Sequence, residues 1–387
     1  MTRAQRVASV TMVLSNPATH DPRPVKEAQT LARAGYAVTI LAWDREGETK
    51  SDSIMGNGVV VKRMRLFAGH GTPVRTVPKL LVFYAWCLMH LLGSWADVIH
   101  CHDVDTLPVG LASKVIGAGR IRLVYDMHDL PEAFLRFFPL SGVFQKVFLS
   151  MARETADLVV SASEGYVSHL REAGFKTRRT VLVLNAPSLS EGRQPRPRLG
   201  NFSVLYYGAL EEERGVRLLV EAARDLEGVT LTVAGRGRLN SWVASAARES
   251  KNIEFLGWLS LTELNTVIEK ADLIPSYYEP KTTNILLSTP NKLLRSFALA
   301  TPALVASGTF QAEIVGRYGC GLTVTWGRAE EVRDAVATLA RDGQAYAGMA
   351  SMAYAAFKSE LNWEAMEAKL KGAYGALLQG RAKSAGD

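Results

Sequence analysis

The sequence lacks several features that would assign it to a specialised class of protein. It has three cysteines among 387 residues, and Cys87, Cys101 and Cys320 have neither the even number of a disulfide framework nor the spacing of a metal site. A reducing compartment fits this usage. Aromatic residues are scarce at 8%, and no basic run is interleaved with them, so nucleic acid is not an expected partner.

Long hydrophobic runs are missing as well. The N-terminal MTRAQRVASVTMVLS lacks the apolar core and cleavage site of a signal peptide. The most apolar segment, LLVFYAWCLMHLLGSW at 80–95, is shorter than the roughly 20 residues of a spanning helix. It predicts a helix buried in the core. The alternative is an interfacial helix, which the apolar and basic stretch 134–153 and the preceding basic residues favour. These basic residues are Arg63, Arg65, Arg75 and Lys79.

The charge balance and the length set the broad class. The formal net charge of +7 favours anionic ligands or an anionic surface as partners. With 48% hydrophobic residues, the chain is long enough for two domains with cores of their own. We therefore expect a cytoplasmic protein, with peripheral contact to the inner face of the cell membrane as the alternative.

Strand-like runs alternate with amphipathic helical stretches along the whole chain. This alternation is typical of parallel sheets covered by helices on both faces. It is interrupted by SLSEGRQPRPRLGN at 188–201, which is dense in proline, arginine and glycine and predicts a linker. We expect doubly wound α/β domains at 1–187 and 202–360, and a closing helix and tail at 361–387 that packs back on the first domain. Ligands of such sheets bind beyond the carboxyl ends of the strands, so we expect the site in a cleft between the domains.

Histidines and carboxylates follow successive strands of the first predicted domain, in SNPATHDPRP (15–24), VIHCHDVDTLP (98–108) and YDMHDLPEA (125–133). Because the carboxyl ends of parallel strands share one edge of the sheet, we expect these side chains to converge there. The pair Asp103 and Asp105 has the spacing of a metal-gripping motif, but no further oxygen ligands accompany it, so we expect no metal site.

Glycines and arginines follow the strands of the second predicted domain. Gly208 comes after FSVLYY, and Gly235-Arg236 ends VTLTVAGR. Glycine lets the backbone approach a ligand, and arginine contacts phosphate well. Arg214 stands at the start of the next helix.

A further helix start carries a cation. STPNKLLRSFALATP at 288–302 predicts a helix from about Asn291 to Ala300, because Pro290 suits the first turn and Thr301 precedes a proline. A helix start that carries Lys292 suits an anion. Together with the glycine loops, it predicts a cradle for a nucleoside diphosphate.

The order and spacing of these blocks resemble the retaining glycosyltransferases of the GT-B fold, in particular their large fourth family, also called group 1. The matching blocks cover nearly the whole chain, and HDPRP marks a subgroup. The matching blocks include HDPRPVKEA, DVIHCHD, YDMHDLPE, YYGALEEERGV, PNKLLRSFALATP and the closing NW helix.

The resemblance implies two Rossmann-like domains that face each other across a cleft. Such an enzyme transfers a sugar from a nucleoside-diphosphate donor, held mainly by the second domain, to a glycan or lipid-linked acceptor held by the first. The anomeric configuration is retained, the leaving phosphate helps to deprotonate the acceptor, and neither a metal nor another cofactor takes part. The pathway would be surface polysaccharide or glycolipid synthesis.

The resemblance also implies roles for individual residues. Arg214 takes the place of the family's phosphate-binding lysine, Lys292 lies beside it, and His128 corresponds to a histidine near the donor sugar; these three are the expected catalytic residues. The further donor-binding residues are Gly208, Gly235, Arg236, Glu279, Asn284, Asn291 and Arg295. The acceptor-side residues are His20, Asp21, Arg23, His102, Asp103 and Asp129.

The chain departs from the family where the nucleotide ribose is usually held. The family has a glutamate at the position of Arg295 and another at that of Leu287, and an arginine is frequent where this chain has Ala209. A carboxylate accepts hydrogen bonds from ribose hydroxyls and a guanidinium accepts none, so the usual ribose contact is lost. Arg295 then contacts a phosphate or a donor carboxylate, pairs with Glu279, or points to solvent.

Two other functions remain open from the sequence. The missing ribose carboxylates fit a transferase fold kept as a binding or scaffold subunit. A sugar-nucleotide 2-epimerase uses the same architecture, but it needs carboxylates around the sugar, and the second domain offers few of them.

Overall fold

A computed structural model describes residues 7–19, 22–47, 49, 52–68, 73–93, 96–131, 141–176, 179–197 and 200–384. The chain forms two compact units. The first comprises Met1–Leu184 and Glu367–Asp387, and the second comprises Asn185–Met366. The first unit is therefore discontinuous in sequence, and part of the closing helix belongs to it.

The first unit is a parallel α/β sheet. Its strands are β1 (Ser9–Leu14), β2 (Ala37–Asp44), β3 (Asp52–Ile54), β4 (Val60–Arg65), β5 (Val98–His102), β6 (Arg122–Met127), β7 (Leu158–Ser161) and β8 (Thr180–Leu182). Its helices are α1 (Pro22–Arg33), α2 (Pro73–Gly93), α3 (Leu107–Ile116), α4 (Ser141–Thr155) and α5 (Glu164–Glu172). The order across the sheet is β3-β4-β2-β1-β5-β6-β7-β8, and β3 with β4 is the antiparallel pair.

Strands β3 and β4 were not among the predicted strands. The three residues of β3 are too few to show a pattern, and β4 reads VVKRMR, in which basic residues obscure the alternation. One of these basic residues points inward, because Arg63 is buried and its Nε donates to the Pro17 carbonyl at 2.9 Å.

The second unit repeats the parallel arrangement. Its strands are β9 (Phe202–Ala209), β10 (Val229–Arg236), β11 (Ile253–Gly257), β12 (Ala303–Ala306) and β13 (Gly321–Val324). Its helices are α6 (Val216–Ala223), α7 (Asn240–Glu249), α8 (Leu261–Ile268), α9 (Thr283–Leu287), α10 (Asn291–Ala298), α11 (Phe310–Tyr318), α12 (Ala329–Arg341) and α13 (Gly343–Ser359), and α14 (Trp363–Ser384) closes the chain. The strand-like run ADLIPS at 271–276 forms only single bridges, from Leu273 to β9 and from Ser276 to β12.

The stretch predicted as a linker, 188–201, is attached to the second unit where the structure describes it. Arg193 donates from its backbone to Ala298 at 2.8 Å and from its side chain to Leu299 at 2.9 Å. Arg196 donates to the Lys270 carbonyl at 2.9 Å. These carbonyls end helices α10 and α8, where unsatisfied acceptors attract cations. Arginines that looked like linker composition are therefore helix-capping groups.

Helix α2 differs from its expected place in the core. It begins at Pro73, earlier than predicted, and 17% of the apolar window Thr76–Gly93 is buried. By length and composition this one helix among the described residues is apolar enough to cross a membrane. The expectation of a buried helix is wrong because one face of α2 covers the sheet, through Phe83 and Cys87, while the other is exposed.

Helix α14 completes the core of the first unit from the far end of the chain. Leu370 and Tyr374 lie one turn apart on the same face of α14 and are fully buried. The Tyr374 hydroxyl lies 2.8 Å from His100 Nδ1 on β5. Arg33 at the end of α1 and Glu367 on α14 form an ion pair at 2.6 Å.

Candidate functional site

A buried polar cluster lies at the carboxyl ends of β5 and β6 in the first unit. Arg23, in the first turn of α1, donates from Nε to Glu27 at 2.8 Å and from Nη2 to Asp126. All three side chains are at most 1% exposed. Burial favours the neutral acid and, together with Asp126, raises the pKa of Glu27 to about 8. Burial also opposes ionisation of Asp126, but Arg23 and His128 outweigh it and hold the pKa of Asp126 well below its usual range.

Three histidines surround the Asp126 carboxylate. Its Oδ2 lies 3.5 Å from His100 Nε2, 3.2 Å from His102 Nδ1 and 3.3 Å from His128 Nε2. Burial and the neighbouring His100 lower the pKa of His102 to about 3, so this ring is neutral. Burial disfavours the charged form of His128 too, but Asp103 and Asp126 raise its pKa well above the ordinary value. The cluster therefore places one imidazolium, His128, at its edge, 3.0 Å from His102 Nδ1.

Asp103 fixes the backbone that carries His128. Its Oδ1 accepts hydrogen bonds from the backbone N–H of His128 at 3.0 Å and of Asp129 at 3.4 Å. Asp103 itself has φ of +64°, in the left-handed region that few residues other than glycine adopt. Backbone strain of this kind persists where the surrounding contacts enforce it, and it clusters at functional sites.

The acceptor-side candidates fall into three groups. His102, Asp103 and Asp129 lie together around His128, as their shared strand ends predict. His20 and Asp21 lie outside the described residues. Arg23 is a correction: it is 1% exposed, because the helix begins at Pro22 and turns this side chain inward onto Asp126. Arg23 therefore cannot touch an acceptor directly.

Four residues of the cluster also have the geometry of metal ligands. Glu27, His100, His102 and Asp126 each place one ligand atom within 4.8 Å of the others. Arg23, however, already binds both carboxylates, and His128 adds a second positive charge beside Asp126. These cations oppose a metal ion in the same space. The absence of a metal from the reaction remains a prediction.

In the second unit, two glycines bring the ends of β9 and β10 unusually close. Gly208 and Gly235 are register partners, and Gly235 has φ of +154°. A Cβ added at Gly235 would lie 1.9 Å from the Gly208 carbonyl oxygen, which no side chain can tolerate. A Cβ at Gly208 would lie 3.6 Å from Lys292 Nζ. Gly208, which is partly exposed, therefore presents its backbone beside the ammonium of Lys292, while the buried Gly235 permits the close approach of the two strands.

Lys292 lies in a cage of tyrosine rings. Its Nζ is 4.1 Å from the ring centroid of Tyr206, 5.2 Å from that of Tyr207 and 5.7 Å from that of Tyr278. Among the described residues no carboxylate lies within ion-pair distance of this ammonium. Burial, with the nearby charge of Arg214, lowers the pKa of Lys292 to about 7. An ammonium that lacks a counter-ion and is partly desolvated is prepared to bind an anion.

Arg214 supplies a second cation beside Lys292. It ends the short 3-10 turn Glu212–Arg214, and its guanidinium lies 5.1 Å from the ring centroid of Tyr278. Tyr278 thus contacts both cations. Two adjacent cations next to the partly exposed backbone of Gly208 form an arrangement that suits a diphosphate.

Arg295 follows Lys292 by one turn of α10, and its partners are now defined. Its Nη1 lies 2.9 Å from Glu191 Oε1, and its Nη2 donates to Asn265 Oδ1 at 3.1 Å. Of the three expectations, neither the pair with Glu279 nor the solvent-directed side chain holds. Glu279 instead lies 3.8 Å from Lys281, and the Arg295 side chain is 24% exposed. A contact with a donor remains a proposal.

The remaining donor-side candidates lie on the same unit. Asn291 is the first residue of α10 and is exposed, and Asn284 lies in the first turn of α9. The guanidinium of Arg236, the last residue of β10, packs over the Trp258 ring at 4.4 Å. The structure thus groups Gly208, Arg214, Gly235 and Lys292 most closely, with Arg236 at the adjacent strand end.

Sequence reasoning missed the residues that complete both clusters. Glu27, His100 and Tyr374 join the first cluster, and the last of these lies 274 positions from its partner. The tyrosine cage around Lys292 was missed as well, although the pair Tyr206-Tyr207 directly precedes Gly208 and was the available signal.

Each unit has the fold of one half of a GT-B protein, and comparison with known proteins agrees. A model of the glycosyl transferase 4-like domain matches residues 25–186, and a model of the glycosyl transferases group 1 matches residues 201–342. Together they match well over half of the chain. The chain belongs to the group 1 glycosyltransferases of the GT-B fold.

The individual proteins that match the chain have low sequence identity to it. Glycogen synthase of Mycobacterium tuberculosis is 30% identical over 207 residues, which are 48% of this chain and 48% of that protein. The chain therefore spans about half the length of the curated relatives it matches.

Among solved structures, sucrose-phosphate synthase from Thermosynechococcus elongatus has a TM-score of 0.78 at 16% identity, over 96% of this chain and 100% of that one. HepE of Anabaena in complex with UDP-glucose has a TM-score of 0.70 at 16% identity, over 95% and 99%. At these identities the likeness concerns the fold.

Proposed function

We propose that this protein transfers a sugar from a nucleoside-diphosphate donor to an acceptor hydroxyl. The observation that carries the proposal is the unpaired Lys292 ammonium, set beside Arg214 and the partly exposed backbone of Gly208. Its relatives support the donor class, since solved structures of similar fold hold UDP-glucose, or ADP with acarbose.

The two cations would stabilise the departing diphosphate. Negative charge develops on the leaving oxygen as the glycosidic bond breaks, and preorganised cations at that point lower the barrier. In this proposal Lys292 and Arg214 replace the divalent ion that other transferases use. Activity should then persist in excess chelator.

We further propose that the anomeric configuration is retained. The leaving phosphate would take the proton of the acceptor hydroxyl on the same face of the sugar, so no protein nucleophile is needed. His128, charged and at the edge of its cluster, would donate a hydrogen bond to the transferred sugar. His102, Asp103 and Asp129 would orient it and the acceptor.

The exposed face of the first unit supports a proposal for the acceptor class. On α2, Leu81, Ala85, Met89 and Leu92 lie along one helical stripe and are exposed. Helix α3, which packs against α2 and α4, ends in exposed Val115 and Ile116. Helix α4 adds Val143, Val147 and Met151 at a spacing of four residues. We infer that this apolar surface, called the α2–α4 face below, rests on a membrane that presents a lipid-linked or glycan acceptor.

The proposal is tested first by ligand binding. UDP, GDP, ADP and inorganic pyrophosphate are titrated against the wild-type chain by calorimetry and thermal shift. Selective stabilisation by one nucleoside diphosphate is the expected result. Lys292→Ala should weaken the binding of that nucleotide and the binding of pyrophosphate alike. Lys281→Ala, which removes an exposed lysine of the same unit, is the matched control.

A scaffold subunit would bind none of these ligands, and that outcome contradicts the proposal. Donor hydrolysis in the absence of acceptor separates a transferase from a 2-epimerase, which returns an isomerised nucleotide sugar instead. Proton NMR of the product then reports whether the configuration at the anomeric carbon is kept.

A further inference from the structure

A tryptophan stands exposed at the carboxyl end of β11. Trp258 follows Gly257, whose φ of +67° ends the strand, and the residue is 64% exposed. Exposed single apolar residues are common, but this one lies on the edge of a parallel sheet where ligands bind. An indole in that place offers a flat surface for stacking.

Trp258 is held in place by a cation. The Arg236 guanidinium packs over the indole at 4.4 Å, a distance at which cation–π attraction is effective. Other arginines at this end of the unit are engaged by carboxylates: Arg238 binds Glu211, and Arg217 binds Glu212 at 2.7 Å. Across the described residues Arg236 has no such ion pair. The guanidinium covers one side of the ring and leaves most of its surface to solvent.

The position of Trp258 relative to the anion site follows from the sheet. The strand order is β11-β10-β9, with Gly208 opposite Gly235 and Ala234 opposite Gly257. Lys292 Nζ lies beside Gly208 at the end of β9, and Trp258 follows the end of β11. These two strand ends are two strand spacings, or about 10 Å, apart. An extended nucleoside diphosphate covers such a distance between its phosphates and its base.

We propose that Trp258 stacks on the base of a nucleoside diphosphate whose phosphates bind Lys292 and Arg214. Arg236 is the positioning residue that fixes the indole plane. The inference rests on the proposed function and adds the base subsite to it. Since every nucleobase has a π-face, this contact supplies affinity, and the choice among bases depends on hydrogen bonds elsewhere.

The test separates the base from the phosphates. Binding of UDP, GDP, ADP and inorganic pyrophosphate is measured by calorimetry for wild type, Trp258→Ala and Trp258→Phe. Loss of one stacked base should weaken the preferred nucleoside diphosphate by about five- to a hundredfold. Pyrophosphate, which has no base, should bind within about twofold of wild type because its contacts do not involve the indole. Trp258→Phe keeps an aromatic face and should recover most of the loss.

Trp242 provides a matched control. It also carries an arginine over its ring, Arg217 at 4.2 Å, but it lies on α7 and packs against the core. Trp242→Phe should leave all four affinities unchanged. If Trp258→Ala weakens pyrophosphate as much as the nucleotide, or changes neither, the stacking inference is overturned while the donor function stands. If the wild-type chain binds neither nucleotides nor pyrophosphate, both are overturned.

Discussion

At the scale of single residues, the contrast between Lys292 and His128 defines the chemistry available to each unit. Both side chains are shielded from water, but only His128 faces carboxylates, so its pKa rises while that of Lys292 falls to about 7. A cation with its own counter-ions is stable and fixed. A cation without them remains available for a ligand.

The Lys292 pKa predicts a pH dependence of donor binding. The free ammonium is charged below pH 7 and becomes neutral above it, so a bound diphosphate, which needs the charged form, raises its pKa. Affinity should therefore fall as pH rises from 8 to 9.5, by up to about tenfold per unit. The terminal phosphate has already lost its last proton in this range, since that proton leaves near pH 6.

Calorimetry of the preferred nucleoside diphosphate across this range checks the prediction. Lys292→Arg is the matched variant, because its guanidinium stays charged and should flatten the profile. Equal slopes for wild type and Lys292→Arg would assign the titration to another group.

Residue-level prediction from sequence grouped residues correctly where the signal was local, while their role in donor binding stays a prediction. Gly208, Gly235 and Lys292 were placed in one cradle because glycines after strands and a cation at a helix start are features of single elements. The prediction that Arg23 faces the acceptor was wrong because Pro22, where the helix begins, was taken for part of a loop. The inward direction of the Arg23 side chain could therefore not be predicted. The partner of Arg295 was missed because Glu191 lies in a stretch expected to be linker.

At the scale of elements, α2 and α14 show what periodicity leaves open. An apolar stripe indicates that one face of a helix packs against another surface. It does not indicate whether that surface belongs to the sheet or lies outside the protein. Helix α2 has apolar residues on both of its faces, and only one of these faces is buried. Helix α14 buries Tyr374 against β5, which no local pattern indicates.

The contact between α14 and β5 predicts a loss of stability. Tyr374→Phe removes the hydroxyl beside His100 Nδ1 and leaves a buried ring nitrogen without its hydrogen bond. The free energy of unfolding should fall by about 1–3 kcal/mol. Urea denaturation followed by circular dichroism measures it.

Tyr36→Phe is the control for that variant. The Tyr36 ring lies 5.8 Å from the Tyr374 ring, so both variants alter the same region. A half-exposed hydroxyl should contribute less than about 0.5 kcal/mol. If the two variants lose equal stability, the hydrogen bond to His100 is not the cause.

At the scale of the whole molecule, the proposed membrane contact combines the net charge of +7 with the exposed α2–α4 face. A basic protein approaches an anionic bilayer by long-range attraction, and apolar side chains then enter its interface. Lys146 is exposed on α4, and Lys79 is partly exposed on α2. Binding should be strongest at low salt.

Liposome flotation checks this prediction. The double variant Leu81→Glu with Met89→Glu places two charges on the apolar stripe and should reduce recovery with anionic vesicles by about tenfold or more. The control is Ile54→Glu with Leu261→Glu, since both residues are 78% exposed and belong to β3 and α8, not to helices α2–α4. Full recovery of the wild-type protein in the unbound fraction at low salt would contradict membrane contact.

The return of α14 to the first unit has a consequence for biosynthesis. The ribosome adds Tyr374 only after the entire second unit, so the buried His100 lacks its hydroxyl partner until that unit has been made. A nascent chain that stalls before this helix leaves an incomplete hydrophobic core exposed to proteases. The first unit can therefore complete its fold only after the second unit has been synthesised.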